Sequence, residues 1–306
     1  MLYAMIDIGS NTVRMAIYDI EGDRVEMVMR RKHMVGLASY VKNEFMTQNG
    51  IDKAVEILTE FKDFISSFPI REYTAFTTAA LRNAKNGREA VQEIEERTGM
   101  PVRILSGDEE ATYDFIGATR NLVEDKGLLI DIGGGSTEIV YFKDREIVRK
   151  VSLPIGSLAF HTKYASEMFP SEAECKDMRA EAEATIGAAK EFQAIYHAQI
   201  CGIGGTFKGA MALYNSMYGM RSKNNRMETR RIPDILRRFQ RDCELTQQDT
   251  ILLMRTVPDR LRTFMPGLII ADVLAKRFES GYILYSDSGV REGFIYSEIL
   301  DKEDEL

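Results

Sequence analysis

The chain has 306 residues, of which 44% are hydrophobic and 28% are charged. This composition is ordinary for a folded enzyme and excludes a largely disordered or fibrous protein. Its 40 basic and 47 acidic residues give a net charge of −7, which argues against a general coat for nucleic acid or for an anionic membrane surface. At this length we expect about two domains.

Apolar runs and cysteine usage indicate the cellular compartment. The longest apolar runs, Gly127–Ile132 and Gly267–Ala271, are far shorter than the roughly 18–20 residues that a membrane span needs. The N-terminal sequence MLYAMIDIGSN has no positively charged first segment, so it is not predicted to be a secretory signal. Cys175, Cys201 and Cys243 form no CxxC pair and are odd in number. We therefore expect a cytoplasmic protein with reduced thiols, without a membrane partner.

The first part of the chain alternates strands and helices. Its first two strands are joined by the turn IDIGSNT, which is typical of a hairpin. Helices are predicted where apolar residues recur every three or four positions. The predicted strands are Leu2–Asp7, Val13–Asp19, Arg24–Arg31, Glu72–Thr77 and Val102–Leu105, and the predicted helices are Gln48–Ser67, one from Ala79, Arg88–Thr98 and Glu109–Asn121.

The same pattern restarts at Gly127 with GLLIDIGGGSTEIVYF. A strand ending at Asp131 is followed by a small-residue turn, and helices then span about Ser171–Tyr196, with Ser171 and Glu174 as a capping box. The other predicted strands are Glu138–Phe142, Glu146–Pro154, Gln199–Ile203 and Tyr282–Ser286, with mostly helical structure over Ile232–Phe278 and a closing helix over Glu292–Leu300.

The restart indicates an internal duplication. Asp7 and Asp131, which end matching strands, are 124 positions apart, close to one domain length. A duplicated α/β unit would place its two glycine-rich hairpins on either side of an interdomain cleft, a common place for a ligand. We predict domains at 1–121 and 122–289, with the closing helix 290–306 packing back on the first.

Three small-residue loops are candidates for phosphate binding. The three consecutive glycines of DIGGGST leave backbone N–H groups unobstructed, so that loop can bind anionic oxygens with main-chain donors. GIGGT precedes a helix and would add donors at a helix N-terminus. A single loop of this kind is as often a tight corner, but three at related positions favour a phosphate site. The candidates are Gly9, Ser10, Asn11, Thr12, Gly133, Gly134, Gly135, Ser136, Thr137, Gly204, Gly205 and Thr206.

Carboxylates accompany these loops. Asp131 ends a strand and Glu138 follows seven residues later across the turn, so both can face a bound ion, and Asp7 offers a third carboxylate from the first domain. Oxygen ligands with open positions suit Mg²⁺, which keeps several waters and shares phosphate oxygens with a substrate. The alternative is an aspartate that caps its own turn.

The helix after LSGD begins with two adjacent glutamates, Glu109 and Glu110, and two interpretations of them stand. Acidic residues in a first helical turn suit the helix dipole, and Ser106 with Glu109 fits a capping box. Alternatively, one of the two reaches into the cleft as a base for water.

The motifs DIGSNTVRM, TTAALRNAKN, SGDEEA, DIGGGSTE, LPIGS, GIGGT and SGVREG, in this order, resemble the exopolyphosphatase/guanosine pentaphosphate phosphohydrolase (Ppx/GppA) family. The similarity runs from about Tyr3 to Tyr296, and the chain looks like the short, two-domain form. The resemblance implies two duplicated actin-like α/β domains (sugar kinase/Hsp70/actin superfamily, ribonuclease H-like) flanking a cleft. It also implies a homodimer.

The resemblance also implies roles for individual residues. Glu110 matches the family's catalytic base, Asp131 and Glu138 match its metal-associated carboxylates, and Arg82 matches the arginine that faces the cleft. We expect Arg82, together with Arg291, to offset phosphate charge, with Mg²⁺ as the cofactor. The expected reaction is hydrolysis of a terminal phosphoanhydride.

The substrate is open between inorganic polyphosphate and guanosine pentaphosphate. Eight basic residues lie between Arg221 and Arg241, opposed only by Glu228 and Asp234. They are interpreted either as a solvated surface or as a track for a long polyanion. No aromatic residue is regularly interleaved, which disfavours nucleic acid. We expect an exopolyphosphatase; the alternatives are a guanosine pentaphosphate 5′-phosphohydrolase and a regulatory protein that binds guanosine tetra- or pentaphosphate with little turnover.

Overall fold

The computed structural model describes residues 1–120, 124–221 and 223–300. The chain divides into two compact units. The first comprises Met1–Glu110 with the described residues from Phe294 onward, and the second comprises Ala111–Gly293. The domain boundary predicted between residues 121 and 122 lies outside the described residues, as do the last six residues of the predicted closing helix.

The first unit is built on a five-stranded sheet with strand order β3-β2-β1-β6-β7. Strands β1, β2 and β3 form an antiparallel meander, and β1, β6 and β7 are parallel. Helix α4 (Gly107–Thr119) carries the chain into the second unit. The other elements are β1 (Leu2–Ile8), β2 (Thr12–Glu21), β3 (Arg24–Met34), β4 (Val41–Lys42), β5 (Phe45–Met46), α1 (Gln48–Ser66), β6 (Glu72–Thr77), α2 (Ala79–Arg82), α3 (Gly87–Thr98) and β7 (Val102–Ile104).

The second unit has a six-stranded sheet with strand order β10-β9-β8-β11-β13-β12. The chain returns to the first unit in a π-helical segment, Ile295–Leu300, which directly follows the last α-helix, Val290–Phe294. The elements are β8 (Lys126–Ile132), β9 (Thr137–Lys143), β10 (Glu146–Leu153), α5 (Ser157–Tyr164), α6 (Glu172–Ala188), β11 (Gln199–Ile203), α7 (Gly204–Met217), β12 (Arg226–Glu228), α8 (Ile232–Arg238), α9 (Gln247–Thr256), α10 (Phe264–Arg277), β13 (Tyr282–Tyr285) and α11 (Val290–Phe294).

The two sheets repeat one topology. In each, an antiparallel three-stranded meander is extended by two parallel strands, the first of which pairs with the meander's first strand, and β12 is an addition at the edge of the second sheet. The predicted fold of two duplicated actin-like α/β domains is confirmed. The duplication extends to an irregularity: the register of β2 with β3 shifts around Val28, and that of β9 with β10 shifts around Val148. Each valine is the extra residue of a β-bulge on an edge strand.

Each sheet is covered by helices that bury an apolar face. In the first unit, Leu58 and Phe61 of α1 and Ile94 of α3 are fully buried in the same core as Ile6 of β1. This follows from the helical spacing of apolar residues in α1. In the second unit α10 is buried along nearly its whole length, as expected of a helix that is apolar on all sides.

Most predicted elements are present, with two kinds of difference. The predicted helical region to Tyr196 is wrong at its end, because α6 stops at Ala188 and a short 3₁₀ turn, Lys190–Phe192, follows. Helix α5 and strands β4, β5 and β12 were not predicted, because two- to eight-residue elements are too short to show a clear period. No helix in the described part of the chain is long and apolar enough to span a membrane.

Candidate active site

The predicted site residues fall into two sets, one in each unit. In the first unit, the hairpin between β1 and β2 is closed by the Gly9 N–H, which donates to the Thr12 carbonyl at 3.1 Å. Asp7 and Arg14 lie opposite each other across this pair of strands, and Arg14 Nη1 is 3.3 Å from Asp7 Oδ2. The buried Asp7 carboxylate therefore already has a cationic partner.

The second unit contains the matching hairpin with a different charge pattern. The Gly133 N–H donates to the Ser136 carbonyl at 2.9 Å, the same three-residue offset as in the first hairpin. Here Asp131 lies opposite Glu138, so two carboxylates occupy the positions that Asp7 and Arg14 hold in the first unit. Directly opposed residues of an antiparallel pair project from the same face of the sheet. The structure therefore brings Asp131 and Glu138 together as predicted.

The orientation of the DIGGGST loop is set by hydrogen bonds to its carbonyl groups. The Gly133 carbonyl accepts from the N–H of Ser157 at 2.9 Å, and the Gly134 carbonyl accepts from the N–H groups of Leu158 and Ala159 at 3.0 and 2.9 Å. In a planar trans peptide the N–H points opposite to the preceding carbonyl. The N–H groups of Gly134 and Gly135 therefore point away from α5. Within the described chain neither of them donates to a main-chain carbonyl.

The first loop is held in a related way. The Ser10 carbonyl accepts from Ala38 N–H at 2.9 Å, and the Asn11 carbonyl accepts from Val35 and Gly36 N–H at 3.1 and 2.9 Å. The side-chain amide nitrogen of Asn11 is buried and has no hydrogen-bond partner in the structure. A buried donor without a partner costs free energy, and this nitrogen would lose that cost if a ligand supplied an acceptor; the phosphate role predicted for Asn11 stays a prediction.

Threonine hydroxyls near these loops brace the main chain. Thr137 Oγ1 donates to the Ile155 carbonyl and Thr206 Oγ1 to the Ile132 carbonyl, each at 2.7 Å, and both residues are buried. Because each hydroxyl already donates to a main-chain carbonyl, neither has its proton available for a phosphate oxygen. The phosphate role predicted for them stays a prediction.

The third loop lies beside Asp131. Strand β11 runs parallel to β8 with Ile203 in register with Asp131, and α7 begins at Gly204. Gly204 has φ +76°, and a Cβ there would lie 2.3 Å from Asp131 Oδ1, so glycine is required on both counts. The N-terminus of a fourteen-residue helix thus abuts the Asp131 carboxylate.

An arginine that sequence reasoning missed lies against this loop. A Cβ at Gly205 would fall 1.7 Å from Arg260 Nη2, so the guanidinium group occupies the space directly over this glycine. Arg260 lies in the short 3₁₀ turn Pro258–Arg260, before α10 and more than fifty positions from the loop in sequence. Arg14 was also missed as a residue of interest, although it belongs to the motif DIGSNTVRM; a count of strand register would have placed it opposite Asp7.

The structure separates the two adjacent glutamates. Glu109 forms the capping box: Ser106 N–H and Oγ both donate to Glu109 Oε2 at 2.8 Å, and Glu109 N–H donates to Ser106 Oγ at 3.1 Å. Partial burial raises the pKa of Glu109, but the hydrogen bonds from Ser106 and the Arg103 guanidinium outweigh it and lower that pKa overall. Glu109 therefore has a structural role.

Glu110 has a different environment. It is buried in the first unit, and Arg82 Nη1 lies 2.5 Å from its Oε2. The same arginine nitrogen donates to the Leu105 carbonyl at 3.2 Å, so the guanidinium is held by the main chain while it orients the carboxylate. The structure thus brings the predicted base and Arg82 together. Arg291 lies in α11 of the second unit, half-buried, six residues beyond the end of β13.

The carboxylates in the second unit are oxygen donors of the kind that Mg²⁺ binds. Asp131 and Glu138 offer two carboxylates on one face, a set that Mg²⁺ accepts when water and substrate complete its shell. Glu138 also accepts a hydrogen bond from Ser152 Oγ at 2.7 Å, which fixes its orientation. Within the residues that the structure describes, no group of three or more His, Cys, Asp or Glu side chains could hold a metal ion. The donor pair therefore fits only a metal that shares its ligands with water or phosphate.

Most arginines of the basic segment are paired. Arg237 and Arg238 lie 3.1 and 2.6 Å from Asp234 and Asp249, and Arg230 lies 2.8 Å from Glu228. Arg226 stacks on the ring of Tyr282, 3.6 Å from its centroid, and Arg241 contacts Glu167 at 3.3 Å. These contacts favour the interpretation of an ion-paired, solvated surface over a polyanion track.

Comparison with known proteins gives a consistent result. Residues 16–302 match the Ppx/GppA phosphatase family. The chain is 27% identical over 297 residues to a protein of Haemophilus influenzae named a putative exopolyphosphatase, which covers 96% of this chain and 90% of that protein. It is 30% identical over 174 residues to a bifunctional 3-dehydroquinate synthase/phosphatase of Fusobacterium nucleatum, covering 53% of this chain and 26% of that protein.

Solved structures share the fold along the whole chain. A Ppx/GppA family member of Aquifex aeolicus superposes with a TM-score of 0.74 at 26% identity and covers 99% of this chain and 98% of its own. An exopolyphosphatase of Cytophaga hutchinsonii superposes with a TM-score of 0.83 at 22% identity, over 99% and 98% of the two chains. At this identity, the similarity to the Cytophaga hutchinsonii protein shows a shared fold.

Proposed function

Because the chain belongs to the Ppx/GppA phosphatase family, we propose that it is an exopolyphosphatase that hydrolyses the terminal phosphoanhydride bond of inorganic polyphosphate and releases orthophosphate. The observation that carries this proposal is the orientation of the DIGGGST loop. Its carbonyl groups are held against α5, so the N–H groups of Gly134 and Gly135 are presented together on the other side. Adjacent main-chain donors of this kind bind the nonbridging oxygens of a phosphoryl group.

Hydrolysis also needs a positioned water molecule. The enzyme must hold the phosphoryl group, offset its charge and place water in line with the bond that breaks. We assign Glu110 to accept the proton of that water, with Arg82 fixing the direction of its carboxylate. A positioned base contributes about 10²- to 10⁴-fold to the rate.

Cationic groups offset the charge of the phosphate. The N-terminus of α7 and the guanidinium of Arg260 lie at the GIGGT loop, and Arg291 lies in α11 of the same unit. Asp131 and Glu138 would hold Mg²⁺, which when bound would neutralise phosphate oxygens.

The choice of polyphosphate rests on the relatives. The Haemophilus influenzae protein that matches almost the whole chain carries the name putative exopolyphosphatase. Arginines of the basic segment are paired with carboxylates, so this choice does not rest on a long positive track for polyphosphate. Guanosine pentaphosphate presents the same terminal phosphoanhydride chemistry and is therefore the comparison substrate.

The test is orthophosphate release from long-chain polyphosphate and from guanosine pentaphosphate, each with and without Mg²⁺. We expect Mg²⁺-dependent release that is faster from polyphosphate. Faster release from guanosine pentaphosphate would replace the proposal with the 5′-phosphohydrolase activity. Tight binding of guanosine tetra- or pentaphosphate with no release from either substrate would indicate a regulatory protein and overturn the hydrolase assignment.

A further inference from the structure

The Gly133 carbonyl receives two hydrogen bonds from one residue. Ser157 donates its main-chain N–H at 2.9 Å and its hydroxyl at 3.0 Å. Ser157 is the first residue of α5 and is 1% exposed. Gly267 of α10 lies on its other side, where a Cβ would fall 3.4 Å from Ser157 Cβ. The hydroxyl is therefore enclosed, and its hydrogen bond is made to the loop.

A restraint at this carbonyl has a specific consequence. Glycine populates more of backbone conformational space than any other residue, so the peptide planes of three consecutive glycines need holding from outside. Because the carbonyl of Gly133 and the N–H of Gly134 belong to one planar trans unit, fixing the first fixes the direction of the second. Ser157 thereby sets where the Gly134 donor points.

The matching loop of the first unit lacks this hydroxyl. Its short helix Leu37–Tyr40 follows Gly36 as α5 follows Gly156, and the residue in the position of Ser157 is Leu37. Among the residues that the structure describes, the loop carbonyls of Ser10 and Asn11 accept main-chain N–H groups of residues 35, 36 and 38 and no side-chain donor. The side-chain donor is thus specific to the loop with three glycines.

We propose that Ser157 is a positioning residue for phosphate binding, acting through the Gly133–Gly134 peptide. The inference rests on the proposed function and adds to it the residue that orients the donor. Replacing Ser157 by alanine removes one of the two hydrogen bonds and leaves the main-chain one. A typical intramolecular hydrogen bond corresponds to a factor of roughly 3–10 in an equilibrium constant. We therefore expect inorganic pyrophosphate to bind Ser157→Ala roughly 3–10 times more weakly.

The variants are chosen to separate positioning from stability. Ser157→Ala should raise the KM for polyphosphate by the factor seen in pyrophosphate binding and change kcat less, because the donor acts on bound substrate and transition state alike. Ser157→Thr retains the hydroxyl and should restore both values. Ser280→Ala is the matched control, since Ser280 is a buried serine of the same unit whose hydroxyl also donates to a main-chain carbonyl, that of His197. It lies before β13, at the opposite end of the parallel strands from the loop.

The experiment measures pyrophosphate affinity by calorimetry, KM, kcat and thermal stability for wild type and the three variants. Equal pyrophosphate affinity in Ser157→Ala and Ser280→Ala, or failure of Ser157→Thr to restore affinity, overturns the inference while leaving the proposed function intact. If the wild type neither binds pyrophosphate nor releases orthophosphate, the proposed function fails, and the inference with it. Should Ser157→Ala not fold, Ser157→Cys, with a much weaker donor of similar size, takes its place.

Discussion

Arg82 and the buried Glu110 form an ion pair in which the arginine is itself held by the main chain. One nitrogen, Nη1, lies 2.5 Å from Glu110 Oε2 and 3.2 Å from the Leu105 carbonyl. Leu105 directly precedes Ser106 and the capping box that starts α4. The orientation of the Glu110 carboxylate is thus coupled to the start of α4. The neighbouring Glu109 side chain is already used to cap that helix.

We expect Glu110→Gln to reduce kcat for orthophosphate release by about 10²- to 10⁴-fold, because the amide keeps the shape of the side chain and the acceptor for Arg82 but cannot take a proton. Pyrophosphate binding should survive. Glu109→Gln is the matched control and should retain activity within about threefold, since its expected cost is a weakened cap. Steady-state kinetics on polyphosphate check both variants. Full activity of Glu110→Gln, or loss of activity in Glu109→Gln alone, would contradict the assignment.

Asp131→Asn tests the proposed metal pair. Removing one of two carboxylates should raise the Mg²⁺ concentration for half-maximal activity by about tenfold or more, because few protein ligands remain. Asp7→Asn changes the equivalent residue of the first unit, which already faces Arg14, and should shift that concentration much less. The measurement is a Mg²⁺ titration of orthophosphate release. An unchanged titration for Asp131→Asn would show that the metal, if used, is held elsewhere.

Two glycine substitutions should have opposite effects. A Cβ at Gly156 would lie 2.5 Å from the main-chain atoms of Gly134 and Gly135, so Gly156→Ala must displace the loop. We expect it to lower orthophosphate release at least tenfold and to destabilise the protein by about 1–3 kcal/mol. Gly187, in α6, has open space around it, and Gly187→Ala should stabilise by up to about 1 kcal/mol. Urea unfolding and activity of both variants give the comparison; a wild-type-like Gly156→Ala would refute the packing argument.

The capping box of α6 should make stability depend on pH. Partial burial raises the pKa of Glu174, but hydrogen bonds from Ser171 and Ser166 and the nearby Arg241 guanidinium lower it to about 2. Because the folded pKa lies below the unfolded value, the stabilisation is present above about pH 4.5 and is lost between there and about pH 2. Glu174→Gln should therefore cost about 2–3 kcal/mol at pH 7 and progressively less below pH 4.5.

The control for this pH dependence is Glu172→Gln on the same helix. Glu172 is exposed and pairs with Lys176 one turn away, so its replacement should cost less than about 0.5 kcal/mol. Urea unfolding free energies of the wild type and both variants between pH 7 and pH 3 provide the measurement. A Glu174→Gln difference that stays constant over this range would show that its carboxylate is not the source of the stabilisation.

The sequence predicted the duplicated fold and the composition of the loops because both depend on local pattern. The strand before Asp131, its glycine turn and the strand after it are recognisable from neighbouring residues alone, and the pairing of Asp131 with Glu138 follows from hairpin register. The capping box at Ser106 was likewise readable, but the pattern left open which of the two glutamates was the candidate base. Burial and Arg82 distinguish Glu110.

Contacts between distant parts of the chain could not be predicted from local sequence patterns. Arg260 reaches Gly205 from another segment of the second unit, and Ser157 holds Gly133 across 24 positions. No periodicity or motif in the sequence indicates which residue Arg260 or Ser157 contacts. Both reach the loops through the packing of the folded unit. The motif LPIGS was recognised as part of the resemblance, yet its role as the support of the DIGGGST loop depends on three-dimensional contacts.

The equivalent bulges at Val28 and Val148, one in each sheet, affect how copies of this chain could associate. A bulge interrupts the regular spacing of donors and acceptors and increases the local twist, which makes an outer strand a poor template for another strand. Since both outermost meander strands carry the same interruption, we expect neither of these two edges to pair with a strand of another molecule.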